Sequence, residues 1–139
     1  MVRTAVITVF LTRNKKLLLL RRSQKVGSYR GCWAGVSGYL DTDDPIEQAW
    51  TELHEELGVG PDEAALDIIG EPLEVADSKA DRTWLVHPFR FVLFDHAEIR
   101  LDWEHVEMNW STPETMQHLD TVPGLWKTWC RVAKDFNTE

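Results

Sequence analysis

The sequence predicts an α+β fold of the α/β/α sandwich type, a mixed β-sheet packed between helices. Three observations lead there. Strand-like segments come first, a helix follows, further strands return and an amphipathic helix closes the chain, an order that suits a sheet packed between helices. Leu17–Leu20 is an unbroken apolar run of the kind a buried strand carries. Ile46, Ala49, Trp50, Leu53 and Leu57 recur at helical spacing, so one face of that segment is made to be covered.

Taken in order, residues 3–12 and 16–22 read as two strands joined by a turn at Arg13-Asn14-Lys15. Ser23–Gly35 is rich in glycine, serine and basic residues and reads as a loop, and a short strand is expected within Trp33–Leu40. Asp44-Pro45 opens the first helix: Asp44 caps it, Pro45 suits its first position, and Glu47 completes an arrangement like a capping box. Gly58 supplies the left-handed stop. Strand signals return at Leu66–Ile69, Leu73–Val75, Thr83–Phe94 and Val106–Trp110. A turn or two of helix is expected after Pro113, and Pro123–Phe136 carries Leu125, Trp126, Trp129, Val132, Ala133 and Phe136 on one face of a longer helix.

At 139 residues, 43% apolar and 27% charged, the chain is expected to form one domain, residues 1–139, with a core that needs no disulfide or structural metal. A formal charge of −8 argues against binding a nucleic-acid duplex and would repel a polyphosphate as well, unless cations neutralise the contact. Cys32 and Cys130 lack metal-ligand spacing and read as reduced thiols. The apolar run near the N-terminus has no small-residue cleavage site and suits a strand, and no stretch approaches the roughly 20 residues of a membrane span. A cytoplasmic protein that does not bind membranes is expected, as monomer or homodimer.

The segment Thr51–Val59 breaks local rules. Glu52, Glu55 and Glu56 crowd the C-terminal turns of the helix, where the macrodipole is negative and neighbouring like charges repel by about 0.2–0.5 kcal/mol per pair. A hard divalent cation that also holds phosphates is the natural compensator. The competing reading is an acidic helix end left in solvent.

With its flanks, Gly38–Val59 resembles the signature box of the Nudix hydrolases: Gly38, Glu52, Leu53, Glu55, Glu56, Gly58 and Val59 match it. Leu17–Arg22 followed by Gly31-Cys32-Trp33 resembles the family's approach to the box, and Glu104 its late acidic loop. The resemblance implies a Nudix-like fold and a metal-dependent pyrophosphohydrolase acting on a nucleoside diphosphate linked to another moiety. It also implies Mg²⁺ or Mn²⁺ on Glu52, Glu55 and Glu56 with the Gly38 carbonyl as a further ligand, and Glu52 or Glu104 as general base. Three departures stand out. Thr51 replaces the family's arginine, a brace between the helix and the loop acid. Asp43 or Asp44 replaces its first glutamate, and the interval from there to Glu52 is one residue short if Gly38 is the anchor. Ser37 stands where a second glycine is common.

Arg22 and Arg30, in a basic segment with Arg21 and Lys25, are candidates for neutralising substrate phosphates, against the alternative of solvated loop charge. Tyr39 is a candidate for stacking on a base, against a partly exposed packing role, and Tyr29 is weighed in the same way. Trp50, Trp126 and Trp129 belong to the core by their helix faces, while Trp33, Trp84 and Trp103 stand between core and pocket wall. His105 beside Glu104 is the one histidine near an acid of interest. Two other functions compete: a non-catalytic nucleotide-binding module on the same fold, and an isopentenyl-diphosphate isomerase, which needs a cysteine shortly after the tryptophan where this chain has Cys32 before Trp33.

Overall fold

The computed structural model describes residues 2–136. Its strands are β1 (Val2–Arg13), β2 (Lys16–Arg22), β3 (Trp33–Ala34), β4 (Val36–Tyr39), β5 (Ala64–Ile69), β6 (Leu73–Asp77), β7 (Arg82–Leu93) and β8 (His105–Ser111). The helices are α1 (Pro45–Leu57), α2 (Pro113–Met116) and α3 (Leu125–Cys130). One mixed sheet carries all the strands, ordered β3-β2-β1-β7-β5, with β4 pairing β1, β6 pairing β7 and β8 pairing β2. β1 and β7 run parallel from Val2↔Arg82 to Thr12↔Val92, and every other pairing is antiparallel. The expected mixed sheet between helices is what forms.

The strand alternation builds two cores. Ile7, Val9, Leu11, Leu18 and Leu20 join Ala49, Leu53 and Leu57 of α1 on one face. Phe10, Leu17 and Leu19 join Met116, Leu125 and Trp129 on the other. Leu17–Leu20 is apolar throughout because helices cover both sides of β2. Of the tryptophans expected in the core, Trp129 is buried while Trp50 and Trp126 are partly covered, Trp50 meeting Phe91 edge-on at 4.8 Å.

The N-terminal end of α1 forms as expected, with Asp44 Oδ1 accepting from the Ile46 and Glu47 amides, but the capping box does not close. The Asp44 amide goes instead to Thr42 Oγ1 at 3.2 Å. Gly58 ends the helix at φ 70°.

Two expected elements differ. The strand within Trp33–Leu40 splits at Gly35, where a Cβ would stand 2.8 Å from the Val9 carbonyl oxygen. The long closing helix stops after Cys130, where the Arg131 and Val132 amides turn to the Thr128 and Trp129 carbonyls three residues back, and beyond it Arg90 Nη1 takes the Val132 and Lys134 carbonyls at 2.8 Å. The apolar face survives, with Val132 buried and Phe136 against Trp129 at 4.9 Å. Among the described residues no helix is long and apolar enough to cross a membrane, and both cysteines are free thiols.

Candidate active site

Pairing of Ile7 with Gly38 and Thr8 with Ser37 lays β4 beside the middle of β1, with α1 packed on the same face. This brings the Glu52 carboxylate down onto Gly38: a Cβ on that glycine would lie 2.3 Å from Glu52 Cδ. Gly38 is therefore the residue that the helix acid rests on.

Glu52 and Glu56 are four residues apart on one side of α1, close enough for each carboxyl to shift the other's titration. Glu56 is 2% exposed, and its Oε2 meets no donor among the described residues. Burial, then the contact with Glu52 and the nearby charges of Glu52, Glu104 and Asp102, push the Glu56 carboxyl well above its ordinary range. Burial also raises Glu52, opposed by its hydrogen bonds to Glu56 and Gln48.

Of the expected trio, Glu52 and Glu56 lie close together in the structure. Glu55 is exposed, one helical step (about 100°) away from Glu56. Among the described residues no three acid, histidine or cysteine side chains converge tightly enough to hold a metal ion. The donors that do meet still suit a hard cation. They are carboxylate oxygens, Glu56 Oε2 buried without a partner among the described residues and those of Glu52 seated against Gly38.

Three residues that sequence reasoning missed or barely noticed organise this pair. Gln48, 4% exposed, donates from Nε2 to Glu52 Oε2 at 2.9 Å and accepts the Asp41 amide at Oε1, 3.1 Å. It ties the helix acid to the preceding loop, the brace expected of an arginine at position 51. Thr51 itself is exposed and bonds the Glu47 carbonyl. A glutamine four residues before a glutamate was the available signal. Asp102 and His105 are the other two. The His105 side chain is 2% exposed, its Nδ1 3.1 Å from Asp102 Oδ1 and its Nε2 3.5 Å from Glu56 Oε1. Burial lowers its pKa against the pull of Asp102, favouring a neutral ring. With Nδ1–H donating to Asp102, Nε2 offers Glu56 an acceptor, which suits a carboxyl group that holds its proton.

A cavity of about 310 Å³ opens over the pair, lined by Gly38 and Glu52 together with Arg22, Tyr39, Asp41 and Glu104. Glu56 lies behind Glu52, off its wall. Glu104 is half-buried and raised by burial and by Asp102, with His105 and Arg22 opposing. Arg22 keeps its place through Nε on the Ser28 carbonyl at 3.0 Å. Arg30, expected beside it, lines neither this cavity nor its neighbour and gives its Nε to the Val26 carbonyl at 2.8 Å. Trp84 is pocket wall, whereas Trp33 packs against the α3 core. Cys32 lines neither this cavity nor its neighbour, and burial raises its thiol, against a nucleophilic role.

A family model described as NUDIX domain matches residues 1–131. Among solved structures, the MutT protein of Methanosarcina mazei is 20% identical, covering 99% of this chain and 97% of its own, with a TM-score of 0.78. The dihydroneopterin triphosphate pyrophosphohydrolase of E. coli is 16% identical over 98% of each chain, with a TM-score of 0.74. A C. elegans Ap4A hydrolase is 17% identical over 96% of each, with a TM-score of 0.73. No curated protein matches the sequence.

Proposed function

Since the chain belongs to the Nudix hydrolase family, we propose that it is a metal-dependent pyrophosphohydrolase cleaving a nucleoside diphosphate linked to another moiety. The observation that carries this reading is the Glu52 carboxylate seated on Gly38 and backed by buried Glu56, in one cavity with Arg22 and Glu104. Two proteins of the same fold are named for hydrolysing phosphoric anhydrides, the Ap4A hydrolase and the dihydroneopterin triphosphate pyrophosphohydrolase.

Mg²⁺ or Mn²⁺ would be held by Glu52 and Glu56, with Glu55 and the Gly38 carbonyl as further ligands. Bound there, the ion supplies Lewis-acid polarisation and neutralises phosphate charge. Arg22 orients the diphosphate through its remaining guanidinium hydrogens. Glu104 is the better candidate base: it borders the cavity with no side-chain hydrogen bond among the described residues, whereas Glu52 is engaged with Gln48 and Glu56. Glu104 takes the proton of a water whose oxygen bonds to a phosphorus. The bridging P–O bond breaks, the leaving moiety keeps the bridging oxygen, and the proton passes on to solvent.

Purified protein given Mg²⁺ should hydrolyse at least one of a dinucleoside polyphosphate, a nucleotide sugar, ADP-ribose or a nucleoside triphosphate, and lose that activity in excess chelator. Tight nucleotide binding without product over hours would instead make it a non-catalytic binding module, the reading that exposed Glu55 favours.

His105→Ala should weaken binding of Mn²⁺ about tenfold or more, the usual effect of deleting a group that orients a ligand. Titration followed by electron paramagnetic resonance, with no substrate present, measures this directly. His105→Gln, which keeps a polar group at similar reach, should lose less. Affinities within twofold of the parent for both variants would leave the Asp102–His105 pair with a packing role only.

A further inference from the structure

A second, larger chamber of about 640 Å³ adjoins the catalytic cavity and shares Arg22, Tyr29, Tyr39, Trp84 and Glu104 with it. Its volume is in the range of pockets that hold nucleotide-sized ligands, about 300–1,000 Å³. The two compartments differ in charge. The inner one has Asp41, Glu52 and Glu104 against Arg22 alone. The outer one adds Lys25, Lys79 and Arg82 to Arg22, and its only acid among the described residues is Glu104. A cationic chamber on a chain of net charge −8 is a local reversal of the protein's field.

Its walls are aromatic as well. Trp84 is fixed by Nε1 donating to Asp77 Oδ2 at 3.1 Å, with the Arg82 guanidinium 5.1 Å above its ring. The Tyr39 ring lies 6.4 Å from that of Trp84, and Trp103, 64% exposed, lines the same chamber. An exposed tryptophan in the same chamber as a fixed one leaves a ring surface for a ligand to cover. Tyr29 adds a third feature: its φ of 51° is rare for a non-glycine residue, and its hydroxyl is buried without a partner among the described residues. An unsatisfied donor on the wall shared by both compartments is suited to an acceptor oxygen of a ligand that spans them.

We propose that the outer chamber binds a further phosphate group and an aromatic ring lying beyond the scissile anhydride, making phosphate-rich nucleotides the preferred substrates over those whose second moiety is a neutral sugar. The assignment rests on the pyrophosphohydrolase reading and narrows its substrate class. Lys25 and Lys79 take the added phosphate, Trp103 and Trp84 take the ring, and Tyr29 donates to a bridging or terminal oxygen.

The test compares kcat/KM for a dinucleoside tetraphosphate, a nucleoside triphosphate and ADP-ribose in the full chain with Mg²⁺. Lys25→Ala/Lys79→Ala should lower kcat/KM for the two phosphate-rich substrates at least about tenfold more than for ADP-ribose, mainly through KM. Their KM should also rise more steeply with salt. Trp103→Ala should act on the dinucleotide more than on the triphosphate. Equal losses on all three substrates, or no loss on any, overturn the assignment. If the parent protein hydrolyses nothing, the pyrophosphohydrolase reading fails and the chamber is judged by calorimetry with inorganic tripolyphosphate in metal-free buffer. Binding that disappears in the double lysine variant upholds it, and absence of binding to the parent rejects it.

Discussion

Glu56→Gln is expected to lower turnover by at least about a hundredfold, the scale of losing one electrostatic element of a preorganised site. The same change should make the metal-free protein more stable. Glu56 is 2% exposed, touches Glu52 and has an oxygen with no donor. Ionising it in that position removes a charge from water beside another carboxylate. The sign follows from the raised pKa. A carboxyl whose folded-state pKa lies well above its ordinary 4.5 binds its proton more tightly in the fold than in the unfolded chain. That contribution is therefore present at acid pH and is lost as pH climbs from about 4.5 through the raised value. Glutamine resembles the protonated form at every pH. In chelator, the melting temperatures of parent and variant should be close at pH 5 and part by a few degrees at pH 8, with the variant higher. Added Mn²⁺ should close the gap by stabilising the parent alone. A variant that turns over normally, or melts below the parent at pH 8 without metal, would place the chemistry on other acids.

Opposed effects from one substitution explain why the helix could be read so directly. Charges that repel one another at a helix end are unfavourable locally, and such a pattern marks a site whose stabilising partner is absent from the sequence. The periodic apolar residues of α1 and the unbroken leucines of β2 were legible for the complementary reason, since each follows its own local rule. What stayed hidden depends on neighbours distant along the chain. Past the early end of the last helix, Arg90 holds the carbonyls of residues 132 and 134, a contact 42 residues long that no window of periodicity contains. Arg30 had the composition of a phosphate ligand, but the loop turned it back onto Val26. Gln48 looked like an ordinary polar helix residue until the loop amide of Asp41 was placed beside it. His105 reached Glu56 only once β8 paired with β2. Glu55 matched the signature box, yet the helical step separating it from Glu56 leaves it exposed.

Gly38→Ala should give the other large loss, and through geometry alone. Gly38 does not occupy the left-handed region, so alanine fits its backbone, and the cost falls on what the new methyl group meets. That is the Glu52 carboxyl, with Cδ at 2.3 Å and its oxygens at 2.5 and 2.6 Å. The end of a flexible side chain can swing aside, so the fold should lose only a few degrees of melting temperature. The swing, however, breaks the 2.9 Å bond from Gln48 and separates Glu52 from Glu56. Misplacing a reacting group by about 1 Å can cost a hundredfold in rate, and a loss of that size in kcat is expected here. Gly35→Ala provides the contrast. Its methyl group would meet the Val9 carbonyl oxygen at 2.8 Å, main chain that cannot swing away. It should cost stability first, with activity falling only as the folded fraction falls. Measured side by side, melting temperature and kcat should separate the two glycines. If Gly38→Ala keeps near-parental turnover, Glu52 works from more than one position, and its seat on β4 is packing rather than catalytic placement.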